Sequence, residues 1–348
     1  MAIKVLVVDD SFFMRKLISD ILNSDPDIEV IGTAANGEEA LEKVKVSKPD
    51  VITLDIVMPG IGGLETLKRI MSDCPTPVVM LSAYTKSDAK ATIECLDAGA
   101  TAFVLKPSGE ISVDIEKIKY ELIEEVKKAS KAGVHKFKSI AARKRIKKFL
   151  KPGAVVKEKV IVIGSSTGGP PVLELILSEL PSNLPAAVLI IQHMPELFTK
   201  YLAEHLDTVS KLEVKEAREG DVIEAGKAYV APGDFHMIVK KKEMEGDVKT
   251  VISLNKSPLV HNLRPSIDVT MKSVAGVYGE NAVGIILTGM GNDGIEGMEA
   301  IKSRHGKTIA QDEATSLIFG MPKKVIESGY ADYIIPAFNI SQEIIQLL

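Results

Sequence analysis

Short runs of β-branched and aliphatic residues alternate with amphipathic stretches over the first third of the chain, the pattern of a parallel α/β fold. Strand-like runs fall at Ile3–Val8, Ile28–Thr33, Val51–Leu54, Pro77–Leu81 and Ala102–Leu105. Helical patterns begin near Phe12, Gly37, Gly63 and Lys86, with another from about Ile111. Right-handed crossovers put the carboxyl ends of the strands on one side, where open α/β sheets bind ligands. The alternation resumes further on, with buried-strand runs at Val160–Ile163, Ala187–Gln192 and Val283–Leu287 and helical periodicity from Val172 and over Ile295–Lys302. Between the halves, from about Glu124 to Lys159, no sustained apolar face follows Val126, and Gly133 and Pro152-Gly153 interrupt the stretch. Such a segment reads as a solvated tether. The expected organisation is a domain at residues 1–125, a basic linker at 126–156 and a second domain at 157–348.

Composition narrows the classes. Of the 348 residues, 45% are hydrophobic and 26% charged, which fits folds with cores of ordinary size. No apolar run approaches the ~20 residues that span a bilayer, so membrane insertion is not expected. The acids Asp9 and Asp10 follow the first short apolar stretch, which is unlike a signal peptide. The two cysteines, Cys74 and Cys95, lack CxxC spacing and read as inert thiols in a reducing cytosol. The net charge of −4 gives no general reason to expect nucleic acid. Between Lys127 and Lys159 the lone acid is Glu158 among many lysines and arginines, but no recognition helix accompanies that charge. Solubility, or contacts with acidic surfaces, explains it better than nucleic-acid binding.

Four of the first five strands end in a polar or reactive residue: Asp9-Asp10, Asp55, Ser82 and Lys106. Each acid by itself reads as a turn or helix cap. Together they form a convergent set of carboxylates whose mutual repulsion a hard divalent cation such as Mg²⁺ relieves. A carboxylate beside that cation can attack phosphorus and become an aspartyl phosphate. Ser82 is placed to donate to a phosphoryl oxygen and Lys106 to neutralise it. The runs V-L-V-V-D-D-S, L-D-I-V-M-P-G-I-G-G-L, V-V-M-L-S-A-Y and F-V-L-K-P make residues 1–125 resemble the receiver domain of bacterial response regulators. The resemblance implies a flavodoxin-like five-stranded parallel sheet with Asp55 as phosphoacceptor. It implies Asp9, Asp10, Asp55 and the Val57 carbonyl as Mg²⁺ ligands, and Ser82, Lys106 and Phe103 as the switch. Phe103 stands where tyrosine is commoner, and a buried strand aromatic explains it equally well. The resemblance also suggests a cis Lys106-Pro107 bond.

The second half opens with a strand, the turn Gly164-Ser165-Ser166-Thr167-Gly168-Gly169-Pro170-Pro171 and a helical pattern. Neither the P-loop nor the dinucleotide glycine pattern fits it. It does satisfy G-x-S-x-G, a nucleophile elbow with Ser166 at its centre, a motif that is weak alone. Ser165 is expected to point elsewhere, toward an oxyanion region. A serine nucleophile needs a base and an orienting acid. His193 ends the next strand on the same sheet side, whereas His135, His205 and His305 lie in polar surroundings and His236 and His261 in loops. Asp293, in T-G-M-G-N-D-G, lies just past another strand; the competing reading is the N-cap of the helix that follows it. Backbone N–H groups of this loop are placed to hold an oxyanion. No residue set there has metal-ligand spacing, so the hydrolytic reading requires no cofactor.

The segments G-S-S-T-G-G, I-Q-H-M-P, Y-V-A-P-G-D-F-H-M, R-P-S-I-D-V, I-L-T-G-M-G-N-D-G and I-A-Q-D-E-A-T-S-L-I-F-G-M-P look like the catalytic domain of the chemotaxis protein-glutamate methylesterases, the CheB family. The likeness runs over about residues 157–347. It implies a doubly wound, mainly parallel α/β domain with Ser166, His193 and Asp293 as catalytic triad and the Met290 backbone at the oxyanion hole. Arg264 is placed near the substrate cleft, with a solvated loop arginine as the plain alternative. The implied function is a phosphorylation-activated serine hydrolase, a carboxylic ester hydrolase. It removes glutamate methyl esters from chemoreceptor cytoplasmic domains, deamidates some receptor glutamines, and takes phosphate from the chemotaxis histidine kinase. The implied location is the cytoplasm, beside membrane-bound receptor arrays. Two other classes remain in view: a phosphorylation-gated binding adaptor with an inactive hydrolase-like domain, and a DNA-acting response regulator.

Overall fold

The computed structural model describes residues 2–106, 114–132, 159–244 and 246–348. Pro107 and most of the expected linker, residues 133–158, lie outside the described residues. The chain divides into two compact units.

In the first unit, β1 (Ile3–Val8), β2 (Ile28–Ala34), β3 (Val51–Asp55), β4 (Val78–Ser82) and β5 (Ala102–Leu105) form a parallel sheet in the order β2-β1-β3-β4-β5. Helices α1 (Phe12–Asn23), α2 (Gly37–Ser47), α3 (Gly62–Asp73), α4 (Lys86–Asp97) and α5 (Asp114–Ala129) connect and follow the strands. Strands β3 and β4 are buried at every position, as central parallel strands covered on both faces must be. Val5, Val7, Ile18, Leu22, Val79, Leu81 and Leu122 form one core with Val126 and Ala129. The apolar stripe of α5 therefore continues past residue 125, and helix packing carries this unit four residues into the expected linker. The sheet reverses its order between β1 and β3, so the loops after these strands open a crevice.

The second unit holds a seven-stranded parallel sheet in the order β14-β13-β12-β6-β7-β9-β8. Its strands are β6 (Lys159–Ser165), β7 (Ala186–Gln192), β8 (Glu213–Glu216), β9 (Lys227–Val230), β12 (Ala282–Ile286), β13 (Lys307–Gln311) and β14 (Tyr333–Ile335). Helices α6 (Gly169–Glu179), α7 (Phe198–Val209), α8 (Ile267–Tyr278), α9 (Ile295–Ser303), α10 (Met321–Glu327) and α11 (Ala337–Leu347) accompany it. A separate antiparallel hairpin, β10 (His236–Met244) and β11 (Asp247–Asn255), is tied to α8 where Thr270 Oγ1 donates to the Met237 carbonyl at 2.7 Å. Val160, Val162, Leu189, Ile191, Ile267, Met271 and Ile286 lie in its main core. From β6 the order runs through β7 to one edge and through β12 to the other. The switch point therefore lies between β6 and β12, below the turns at 165–168 and 287–294.

Candidate active sites

In the first unit the crevice between β1 and β3 gathers the expected acids. Carboxylate oxygens of Asp9, Asp10 and Asp55 lie within 4.8 Å of one another. Asp9 and Asp55 are buried and Asp10 is exposed. The Lys106 ammonium stands 2.8 Å from Asp9 Oδ2 and 2.7 Å from Asp55 Oδ1. Burial raises the Asp55 carboxyl above its ordinary range, although Lys106 opposes the shift. Burial depresses Lys106 less than its bonds to Asp55 and Asp9 raise it, so the ammonium is held charged. One cation against three carboxylates leaves excess negative charge in an all-oxygen donor set, which suits a hard divalent ion. Ser82 is buried beside this group and receives a hydrogen bond from Thr92 Oγ1 at 2.9 Å. Phe103 lies opposite Met80 in the sheet and is half-buried.

In the second unit the strand ends bring the other expected residues together. Ser165 pairs with Gln192 across β6 and β7, and the His193 N–H donates to the Ser165 carbonyl at 3.1 Å. Ser166 and His193 thus leave neighbouring strands side by side. From beyond β12, Asp293 meets His193, with Oδ2 to Nε2 at 2.9 Å. Because Nε2 is committed to Asp293, Nδ1 is the ring nitrogen left for a hydroxyl. The Asp293 carboxylate also accepts from Ser266 Oγ at 2.8 Å, the Ile267 N–H at 2.7 Å and the Asp268 N–H at 3.0 Å. Burial pushes this carboxyl up, but His193 and the two N–H groups outweigh it and hold the group down at about 2.

Several expectations need correction. Asp293 does not cap α9; it caps α8, while Asp268 from α8 accepts the Gly294 and Gly297 N–H groups at 2.9 and 2.7 Å. Each aspartate caps the other's helix. In the turn after β6 the left-handed residue is Gly168, with φ of 77°. Helix α6 starts at Gly169, three residues before the expected Val172, because prolines are tolerated in a first turn. Ser165 does not face an oxyanion region. It is buried and donates to Gln192 Oε1 at 2.6 Å. Arg264, expected near the substrate cleft, donates to Asp234 and to the carbonyls of Lys256 and Ser257 at 3.1 and 3.0 Å, so its guanidinium braces a loop.

Sequence reading missed Gln192, Thr288, Ser266 and Asp268. Gln192 Nε2 donates to the carbonyls of Ser166 at 3.0 Å and His193 at 3.3 Å, fastening the two turns together. Thr288 accepts the Ser166 N–H at its carbonyl, at 3.1 Å, and sends its hydroxyl to the Thr167 carbonyl at 3.0 Å. A Cβ on Gly289 would stand 2.7 Å from Ser166 Cβ, so this glycine lets the 288–294 turn approach the serine. The Gly289 N–H is spent on Ile318 at 3.0 Å, whereas the next one, on half-exposed Met290, has no protein acceptor among the described residues. Replacing Gln192 by Leu strands the buried Ser165 hydroxyl and frees both turns. The expected result is a loss of about 1–3 kcal/mol in denaturant-derived stability, together with a lower kcat.

A doubly wound sheet with a serine turn and a His–Asp pair at its switch point, preceded by a parallel sheet with an acidic crevice, defines a response regulator whose effector is a hydrolase. Residues 5–115 match the response regulator receiver domain and residues 161–344 the CheB methylesterase family. The chain belongs to the CheB methylesterase family. It is 48% identical over 347 residues to the protein-glutamate methylesterase/protein-glutamine glutaminase of Pyrococcus abyssi, covering 99% of this chain and 93% of the relative. Identity to the enzyme of the same description from Thermotoga maritima is 44% over 346 residues, covering 99% and 98%. The crystal structure of the Thermotoga maritima CheB methylesterase catalytic domain covers 56% of this chain and 100% of its own, at 47% identity and a TM-score of 0.53.

Proposed function

We propose that this protein-glutamate methylesterase/protein-glutamine glutaminase works through Ser166, His193 and Asp293 and is activated by phosphorylation at Asp55. The observation that carries the reading is the 2.9 Å contact between His193 and Asp293 at the switch point where Ser166 emerges. His193 Nδ1 takes the Ser166 proton as the hydroxyl attacks the side-chain carbonyl. Asp293 holds the ring and supports its positive form, and the free Met290 N–H donates to the developing oxyanion. Methanol leaves with the proton from His193, and water then cleaves the acyl-serine to restore glutamate. A glutamine follows the same path, with ammonia as leaving group. The substrates are the methylated cytoplasmic helices of chemoreceptors, and the phosphodonor is the chemotaxis histidine kinase, which places the protein in the cytoplasm beside receptor arrays. No described helix is long and apolar enough to cross a membrane.

In the receiver, Asp9, Asp10, Asp55 and the Val57 carbonyl would hold Mg²⁺, which when bound offsets phosphoryl charge. The burial-raised Asp55 carboxyl is the acceptor, Lys106 pairs with it, and Ser82 and Phe103 respond. The aspartyl phosphate carries about 1.5–2 negative charges where the carboxylate carried one, in a site with one ammonium, which gives the receiver a reason to rearrange.

A fluorophosphonate probe distinguishes an enzyme from an inactive adaptor. Labelling of Ser166 with stoichiometric loss of methanol release from methylated receptor membranes is expected; an intact, unlabelled Ser166 would favour the adaptor. For Asp55→Asn, methanol release is expected to show no rise when a small phosphodonor is added, while unstimulated activity persists. A full rise in that variant would remove Asp55 as the control point.

A further inference from the structure

Asp268 has no place in the proposed triad, yet it is as deeply buried as Asp293. One of its oxygens accepts the two N–H groups that start α9, and the other faces His261 Nε2 at 3.2 Å. Ligand atoms of His261, Asp268 and Asp293 all lie within 4.8 Å of one another. The groups therefore form a row of His193, Asp293, Asp268 and His261, with an imidazole at each end and two carboxylates between. The His193 side chain is 7% exposed and that of His261 36%, so the row runs from the buried site to the surface.

Two carboxylates this close resist joint ionisation. Burial, aided by Asp293, pushes Asp268 up to about 6, while Asp293 stays low. Asp268 is thus the carboxylate whose charge is contested, and His261 is the group that supports it. The remaining charged groups facing the row are Lys272 and Glu296, which pair with each other.

The loop that presents His261 is clamped from several sides. Arg264 holds the Lys256 and Ser257 carbonyls, His236 Nε2 donates to the Pro258 carbonyl at 3.1 Å, and Val260 and Leu263 exchange backbone bonds of 3.2 and 2.9 Å. His261 and Asn262 are both left-handed, with φ of 53° and 62°. Non-glycine residues persist there only when their surroundings over-determine them. These clamps account for the role of Arg264 better than a substrate contact does.

We propose that His261 is a positioning residue for ester hydrolysis: through Asp268 it holds the 289–294 turn, and Asp293 with it, in the orientation that His193 requires. The proposal rests on Asp293 being the triad acid.

The test uses the full-length protein with a small phosphodonor present throughout, measuring kcat and KM for methanol release from methylated receptor membranes near neutral pH. Wild type is compared with His261→Gln, Asp268→Asn and the double variant. The bond from His261 reaches an ionised carboxylate and is therefore of the stronger kind, so His261→Gln should lower kcat by about 3–10-fold. KM should be unchanged. Adding His261→Gln to Asp268→Asn should cost almost nothing, because the bond is already weakened. An unchanged kcat in His261→Gln, a loss carried by KM, or a double variant as impaired as the product of the singles would each overturn the proposal. If Asp268→Asn does not fold, the half-exposed His261→Gln decides alone, by whether its loss falls on kcat or on KM. Failure of the triad reading itself would show differently, as methanol release surviving in Ser166→Ala.

Discussion

Asp293→Asn is expected to lower kcat for methanol release by about 10³–10⁴-fold and to destabilise the fold as well. The carboxylate accepts four hydrogen bonds on two oxygens, and an amide offers one oxygen and one donor. With the amide oxygen toward Ser266 and Asp268, the NH₂ faces the Ile267 N–H and His193 Nε2. The imidazole must then carry its proton on Nδ1, the nitrogen needed as base. With the amide reversed, the His193 tautomer survives but the charge supporting imidazolium is gone, and the NH₂ now opposes the Asp268 N–H. Either way one buried N–H at the start of α8 loses its acceptor, at about 1–3 kcal/mol. Denaturant unfolding near neutral pH measures that loss.

The pH dependence follows from the same contacts. The folded-state carboxyl of Asp293 lies at about 2, below its ordinary value of 3.8. Its stabilisation is therefore full above the unfolded value and fades as pH falls from about 4 to about 2. Asp293→Asn should lack this part of the acid unfolding profile. A variant with wild-type acid unfolding and normal kcat would show that the 2.9 Å contact has no part in catalysis.

Much of this was legible in the sequence, for an identifiable reason. Parallel strands buried on both faces need continuous β-branched runs, so β1, β6, β7 and β12 stand out. Loops after such strands are where the sheet directs its ligands, so Asp55, Ser166, His193 and Asp293 could be picked by position. The β10–β11 hairpin was not legible, because Lys240, Lys241 and Lys242 make its outer half polar and exposed without a buried run. Gln192, Thr288 and Asp268 were missed because their work is tertiary. Each serves backbone groups on a different strand or helix, and neighbouring residues carry no mark of that. Ser266-Ile267-Asp268 looks like an ordinary helix start, and only the fold shows Asp268 capping α9 instead of its own helix.

Ser166→Ala is expected to lower kcat further still, by about 10⁶-fold on the scale of other serine hydrolases in which the nucleophile is removed, and to leave stability nearly unchanged. The contrast with Asp293 comes from what each side chain holds. The Ser166 backbone is fixed by Thr288, Gly169 and Gln192 through its N–H and carbonyl, and alanine keeps both groups. Methyl for hydroxymethyl therefore removes the nucleophile while the turn, the Met290 N–H and the His193–Asp293 pair stay in place. Residual hydrolysis should exceed the uncatalysed rate by about 10³-fold, from oxyanion stabilisation and binding alone. Because a triad acts as a unit, adding Asp293→Asn to Ser166→Ala should cost little more activity, although the double variant should inherit the stability loss of Asp293→Asn. Methanol release and denaturant unfolding on the same four proteins separate the two effects. Substantial hydrolysis by a folded Ser166→Ala would mean that the nucleophile lies elsewhere; a further large fall on adding Asp293→Asn would mean that the two residues do not act in one relay.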